Sequence, residues 1–236
     1  MFDKDGYIAN RPIRPEHWKT VIPDMPAGLI VTSNSVPPGL FFAQNFLAPD
    51  ICNQIVSESA AQLGGQNASS GDAADAPRMS VQRTLDAIDT QSLQFNVKDL
   101  VRHIFVNVVA PQFGKQIDNF ESPEVLRYKE GGEYPVHADA DTWSAEEQTW
   151  KRAVDRDLSI HLYLNEDYEG GEIDFPNFGL KLKPQRGLLI AFPSDGRYLH
   201  AARPVTAGLR YALVSWASVK GSQRVSSEPR PNATQV

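Results

Sequence analysis

Seven short runs dominate the second half of the chain: "EVLRYKE", "LSIHLYLN", "GEIDF", "LKLKP", "GLLIAFP", "LHAARPV" and "RYALVSWAS". They are separated by Gly, Pro, Asn and Asp residues, the punctuation of strands joined by turns. So many short strands in succession leave no room for the crossover helices that a parallel sheet requires. An antiparallel sandwich or barrel is therefore expected, with whatever helices the chain has packed on one face.

The first half supplies those helices. "GLFFAQNFL" reads as a strand, and "APDICNQIVSESAAQLGG" as a helix with Pro49 in its first turn and Gly64 and Gly65 beyond its end. A second helix is marked by Leu93, Val97, Leu100, Val101, Ile104, Phe105 and Val108, which recur at three- and four-residue steps and form one apolar stripe. That stripe needs a sheet to pack on. The expectation is an α+β fold, with helical support over residues 48–115 and a β core over 124–218, together one domain spanning 39–218. Residues 1–38, rich in proline and poor in periodicity, read as an irregular arm. Residues 219–236 carry almost no apolar side chains and read as a disordered tail. The polar stretch "GGQNASSGDAADAPR" (64–78) has the composition of a mobile loop, either a lid or a plain insertion.

Composition narrows the function classes. With 236 residues, 41% of them hydrophobic, the chain can bury one substantial core. A net charge of -6 argues against a nucleic-acid partner, since phosphate binding leaves a basic footprint. Cys52 is the only cysteine, so neither an internal disulfide nor a cysteine zinc cage can form, and any metal must be held by histidine and carboxylate. No stretch approaches the roughly 18 apolar residues of a membrane span. The N-terminus has no apolar signal region, so a cytoplasmic protein with no membrane partner is expected.

Five histidines are present, in unlike surroundings. His17 and His103 read as surface residues. His161, inside "LSIHLYLN", is either a hydrogen-bonded core histidine or part of a pocket wall. His137 and Asp139 lie two apart in "RYKEGGEYPVHADADTW", and alternate strand residues project to the same side, so the pair could share one ion. A lone His-x-Asp is weak evidence. His200, just past the strand "GLLIAFP", strengthens it, because two histidines and one carboxylate make the facial triad of non-haem Fe(II) oxygenases. Arg210 opens the last strand, and a buried guanidinium can grip a carboxylate through two parallel hydrogen bonds. Ala212, Val214 and Trp216 share its face by alternation and should line an inner wall. Gly170 and Gly171 read as turn residues, and Phe175 and Pro176 as the end of a strand.

Over residues 124–218 the chain resembles the prolyl-4-hydroxylase-like branch of the Fe(II)/2-oxoglutarate-dependent dioxygenases. The motifs "RYKEGGEYPVHADAD", "IHLYLNEDYEGGEIDFP", "LKPQRGLLIAFPS", "LHAARPV" and "RYALVSWAS" carry the resemblance, with "FLAPDICNQIV" similar to the family's N-terminal strand-to-helix junction. The resemblance implies a double-stranded β-helix, or jelly-roll, core of mainly antiparallel strands buttressed by N-terminal helices. It implies His137, Asp139 and His200 as catalytic iron ligands, and Arg210 as the partner of the 2-oxoglutarate C5 carboxylate. Tyr128 and Tyr163 match tyrosines that face the cosubstrate. The family's spacing selects Asp139 over Asp141, which would then face solvent or touch substrate.

The implied reaction is hydroxylation of an unactivated C–H bond, using Fe(II), 2-oxoglutarate and O2, with ascorbate as a candidate reductant, and releasing succinate and CO2. A prolyl residue in a peptide or protein is the expected target, with a free amino acid or small metabolite as the alternative. Trp143, Arg156 and Arg203 are the candidate substrate contacts. Collagen-type members generally carry lysine where Arg210 stands, whereas hypoxia-sensing and related bacterial members carry arginine. "YLNEDYEGGEIDFP", by contrast, looks collagen-type. Two other classes stand beside the hydroxylase. A cupin-type isomerase would need no Arg210, and a catalytically silent jelly-roll binding module would usually have lost a triad member.

Overall fold

A computed structural model describes residues 37–65 and 85–236 of the chain. His17, all of the N-terminal arm but its last two prolines, and positions 66–78 of the expected loop lie outside the described residues. The architecture is organised around two central strands that are buried on both sides. β8 (Leu158–Tyr163) is buried at all six residues and β15 (Arg210–Val219) at nine of its ten. The major sheet runs in the order β1 (Phe41–Ala43), β12 (Leu189–Pro193), β8, β15, β3 (Ile117–Glu121), β16 (Ala233–Gln235). β4 (Glu124–Tyr128) also pairs with β15, alongside its first half, and carries β2 (Asp86–Asp89) on its other edge. A minor sheet has the order β11 (Leu180–Leu182), β10 (Ile173–Phe175), β13 (His200–Ala202), β5 (Tyr134–His137). Two small ribbons complete it: β6 (Asp141–Ser144) with β7 (Thr149–Arg152), and β9 (Glu169–Gly170) with β14 (Val205–Ala207). All pairings among these strands are antiparallel, and the whole is the expected α+β jelly roll.

Alternation along each strand divides the burial between two cores. The outer faces of β8, β12 and β15 send Ile160, Leu162, Leu189 and Leu213 into a cluster with Ile55 and Phe105 of the helical layer. Their inner faces send Tyr163, Ile190, Phe192 and Ala212 against Ile173 and Phe175 of the minor sheet. Burying each large apolar side chain is worth about 1.5–3 kcal/mol, far more than helix propensity per residue, so the outer core is what holds the helices.

The helical layer differs from its sequence pattern in two places. α1 (Pro49–Gly65) takes in the two glycines expected beyond its end. The second helical segment consists of α2 (Val97–His103), π-helical turns over Ile104–Val109, and α3 (Ala110–Phe113), closed by Gly114 in a left-handed conformation. Asn96 caps it by accepting from the Asp99 N–H at 3.1 Å, and Leu93 falls before the helix. The wider π turn holds an extra residue, so the buried stripe steps from Phe105 to Val109 rather than Val108.

Residues 219–236 also depart from expectation. Rather than lacking order, they run along the body and end in β16, paired to β3. The Asp155 carboxylate accepts from the Val225 and Ser226 N–H groups at 2.8 and 3.0 Å, and Arg224 meets Asp118 at 2.9 Å. Backbone pairing of this kind needs no apolar side chains, so composition carries no trace of it. No helix among the described residues is long and apolar enough to cross a membrane.

Candidate metal centre and adjoining cleft

Pairing of β5 with β13 sets His137 directly opposite His200, with ring centroids 4.3 Å apart. Each ring is anchored at Nδ1, which donates to the Pro135 carbonyl at 2.8 Å in His137 and to the Tyr198 carbonyl at 3.1 Å in His200. A carbonyl only accepts, so both Nδ1 atoms carry a proton, and in the neutral form of each ring Nε2 presents a lone pair. Those lone pairs converge on Asp139, His137 Nε2 at 3.6 Å from Oδ1 and His200 Nε2 at 3.6 Å from Oδ2. One potential ligand atom from each of the three residues lies within 4.8 Å of the others.

Acceptors facing one another in a dry site repel. His200 Nε2 is buried and has no hydrogen-bond partner among the described residues. A cation among the three groups would satisfy all of them at once, and two imidazoles with one carboxylate suit Fe(II). Protonation states agree. Burial pushes His200 down to about 4, with His137 adding to the effect, so it is neutral near pH 7. Burial alone would raise the Asp139 carboxyl, but His200 and His137 beside it hold it well below the usual carboxylate range. Ser159 Oγ donates to Asp139 Oδ2 at 2.7 Å.

His161, left open between core and pocket, lines the cleft. It projects from β8 opposite Val214 of β15, and its ring lies 5.3 Å from that of His200. Burial first, and then His200, push it down to about 3, so it stays uncharged.

The same cleft runs from the triad to Arg210. Arg210 is 2% exposed, and its register partner on β4 is Tyr128. Its guanidinium carbon lies 4.6 Å from the Tyr128 ring and 5.1 Å from that of Tyr163. Nε and Nη1 of Arg210 and the Tyr163 hydroxyl are buried without hydrogen-bond partners among the described residues. Tyr128 forms part of the cleft wall, whereas Tyr163 stands behind Arg210. Burial pushes the Tyr163 phenol up, so it remains a donor. Gly171, at φ +64°, is needed here, because a Cβ would come within 2.9 Å of the Tyr168 ring and 3.0 Å of Arg210 Cδ.

The cleft wall includes Ala212, Val214 and Trp216, as strand alternation predicts. It does not include the three expected substrate contacts. Arg156 is turned inward, bidentate on Glu121 at 2.6 and 2.7 Å, 3.7 Å above the Trp216 ring, and 3.3 Å from the Asp139 carbonyl. Arg203 pairs with Asp174. Trp143 stands edge-on to Trp150 within the β6–β7 ribbon, 5.7 Å between centroids. Asp141 lies outside the cleft: its half-buried carboxylate accepts from the Gly196 N–H at 2.8 Å, and burial raises its pKa. Sequence reasoning missed Tyr134, stacked on His137 at 3.7 Å, as well as Leu126 and Ser159. Leu126 could have been found, since it alternates with Tyr128 on β4. Ser159 carries the same signal, alternating with His161 and Tyr163 on β8, whereas Tyr134 left none.

Jelly-roll proteins that gather two histidines and one carboxylate at the end of a barrel-like cleft form a class with an open metal centre. Comparison with known proteins narrows the class. The family model of the 2OG-Fe(II) oxygenase superfamily matches residues 123–218. A protein of Acanthamoeba polyphaga mimivirus, named for prolyl 4-hydroxylase activity, is 32% identical over 127 residues, 50% of this chain and 52% of that one. Human prolyl 3-hydroxylase 2 is 37% identical over 92 residues, 35% of this chain and 13% of the relative. The chain thus spans about half or less of the length of these relatives. A solved Trichoplax adhaerens prolyl hydroxylase, in complex with a hypoxia inducible factor peptide fragment, shares the fold with a TM-score of 0.62 at 20% identity, covering 78% of this chain and 88% of that one. Over residues 123–218 the chain is thus similar to the 2OG-Fe(II) oxygenase superfamily, and the relatives it resembles carry the names of prolyl hydroxylases.

Proposed function

We propose that the protein is an Fe(II)- and 2-oxoglutarate-dependent dioxygenase that hydroxylates a prolyl residue in a peptide or protein. The observation that carries this reading is the presence, in one cleft, of two unsatisfied sets of polar atoms with complementary needs. Acceptors gather at His137, Asp139 and His200, and donors gather at Arg210. The first set would hold Fe(II), and the second would hold the far carboxylate of 2-oxoglutarate.

Fe(II), when bound, supplies the oxidation, coupling O2 and 2-oxoglutarate to substrate hydroxylation with release of succinate and CO2. The protein's own side chains do the rest. Nε and Nη1 of Arg210 would donate to the carboxylate, and the faces of the Tyr128 and Tyr163 rings stabilise the guanidinium charge in a dry setting. Leu126, Ile173 and Val214 exclude water between the two sets. His161, neutral at working pH, adds no competing charge beside the metal. Substrate is proposed to meet Tyr134 and Trp216, two half-buried aromatic side chains on the cleft wall, rather than Trp143, Arg156 or Arg203. Two observations support a peptide as substrate: the names of the relatives, and a net charge of -6 that does not suit nucleic acid.

The test is anaerobic titration of the Fe(II)-loaded protein with 2-oxoglutarate, followed by addition of O2 and a proline-containing peptide. A visible charge-transfer band, lost in Arg210→Ala at matched concentration, and peptide-dependent succinate are expected. Iron bound without any band would sink the dioxygenase reading. A band without peptide-dependent succinate would sink the substrate class alone.

A further inference from the structure

Behind the Asp139 carboxylate, two serines stand where a sandwich core ordinarily holds apolar side chains. Ser159, on β8, is 0% exposed, and Ser194, just past β12, is 1% exposed. Strand register sets Ser159 between Phe192 and Trp216. Buried hydroxyls cost free energy unless each is hydrogen-bonded, and here the direction of every bond is forced. A carboxylate accepts only, so Ser159 Oγ, 2.7 Å from Asp139 Oδ2, gives its one proton there. Ser194 Oγ lies 2.8 Å from Ser159 Oγ and must therefore donate to it. Main chain reinforces the link, because the Ser194 carbonyl accepts from the N–H of Ala140, the residue after Asp139, at 2.8 Å.

We propose that Ser159 is a positioning residue for the metal centre: its hydroxyl, oriented by Ser194, fixes the rotation of the Asp139 carboxylate and so preforms a ligand for a divalent cation. The proposal rests on the metal-centre reading above. A carboxylate turns about its Cβ–Cγ bond and can offer either oxygen or both. Occupying Oδ2 with a hydrogen bond removes that freedom before the metal arrives. Outer hydrogen-bond partners of metal ligands typically contribute 10–100-fold to affinity.

The experiment compares the metal-free full chain with its Ser159→Ala, Ser159→Thr and Ser194→Ala variants. Calorimetric titration with Mn(II) measures affinity, the visible spectrum of the Co(II) form reports coordination, and thermal unfolding of the metal-free proteins reports folding. Ser159→Ala is expected to weaken Mn(II) binding by about 10–100-fold and to change the Co(II) spectrum, with little change in metal-free Tm. Ser159→Thr, which keeps the hydroxyl, should stay near wild type, and Ser194→Ala should fall between. Wild-type binding together with a Ser159→Ala affinity within about twofold of it overturns the proposal and leaves the metal-centre reading standing. Failure of the wild type to bind either metal overturns both. If Ser159→Ala does not fold, unaltered Mn(II) affinity in Ser194→Ala overturns the relay.

Discussion

The two faces of the major sheet are made by the same strands and are equally dry, yet one is a core and the other a site. On β8, Leu158, Ile160 and Leu162 join the outer core, while Ser159, His161 and Tyr163 alternate with them on the inner face. On β15, Tyr211, Leu213 and Ala217 face outward, and Arg210, Ala212, Val214 and Trp216 line or border the cleft. The outer face is satisfied by apolar contact. The inner face leaves Tyr163 Oη, Arg210 Nε and Nη1, and Trp216 Nε1 buried without partners among the described residues, and His200 Nε2 of the facing minor sheet is in the same state. Each unmet polar group costs about 1–3 kcal/mol, so the outer core carries an inner face that destabilises the fold until ligands fill it. Along β8 and β15 burial does not separate core from site; satisfaction of polar atoms does.

Four substitutions or conditions would break or sharpen that contrast. The largest effect is expected from Asp139→Ala or His200→Ala, which should abolish metal-dependent turnover while the metal-free Tm holds or rises. A steep fall in metal-free stability would mean that the triad is part of the core after all. Next comes Leu162→Ala on the outer face, expected to cost about 2–5 kcal/mol in urea unfolding, with the 2-oxoglutarate KM of the folded protein unchanged. Arg210→Leu should do the reverse. It removes an unpaired buried charge, so the 2-oxoglutarate KM should rise tenfold or more (a loss of about 1.4 kcal/mol or more), while the metal-free protein gains about 1–4 kcal/mol. Destabilisation of Arg210→Leu to the level of Leu162→Ala would erase the distinction between the faces.

Within one pH unit of neutrality, the smallest effect is the response to pH. His161 and His200 are held neutral by burial, at about 3 and about 4 against an ordinary 6.5. Between those values the unfolded chain binds protons that the native chain refuses, so stability rises with pH there. It is present in full above about pH 6.5 and is lost as pH falls toward 4, at up to about 1.4 kcal/mol per pH unit for each histidine. Urea midpoints measured across this range, with and without His161→Gln, should show the slope shrink in the variant. Equal slopes would remove His161 from the account.

The resemblance, anchored in short motifs, points to the triad and Arg210, because residue chemistry and strand alternation are local. "RYALVSWAS" states in its own order that Arg210, Ala212, Val214 and Trp216 share a face, and the cleft wall contains all four. Composition could not show the ordered tail, because β16 is held by backbone pairing. Periodicity could not show the π turn, because one added residue leaves the same letters in the helix. Arg156 and Arg203 sounded like substrate contacts, since a charge near a motif looks available until its partner is known. Glu121 lies 35 positions from Arg156, and Asp174 lies 29 from Arg203.

By itself, then, the sequence determined which chemical groups are present and on which side of each strand they stand, since both follow from side-chain identity and the two-residue repeat of a pleated backbone. Only the tertiary structure decided that His137 sits opposite His200, that Tyr128 sits opposite Arg210, and that a serine backs the carboxylate. Register between distant strands is a property of the whole chain, chosen by packing two cores at once, and no local window contains it.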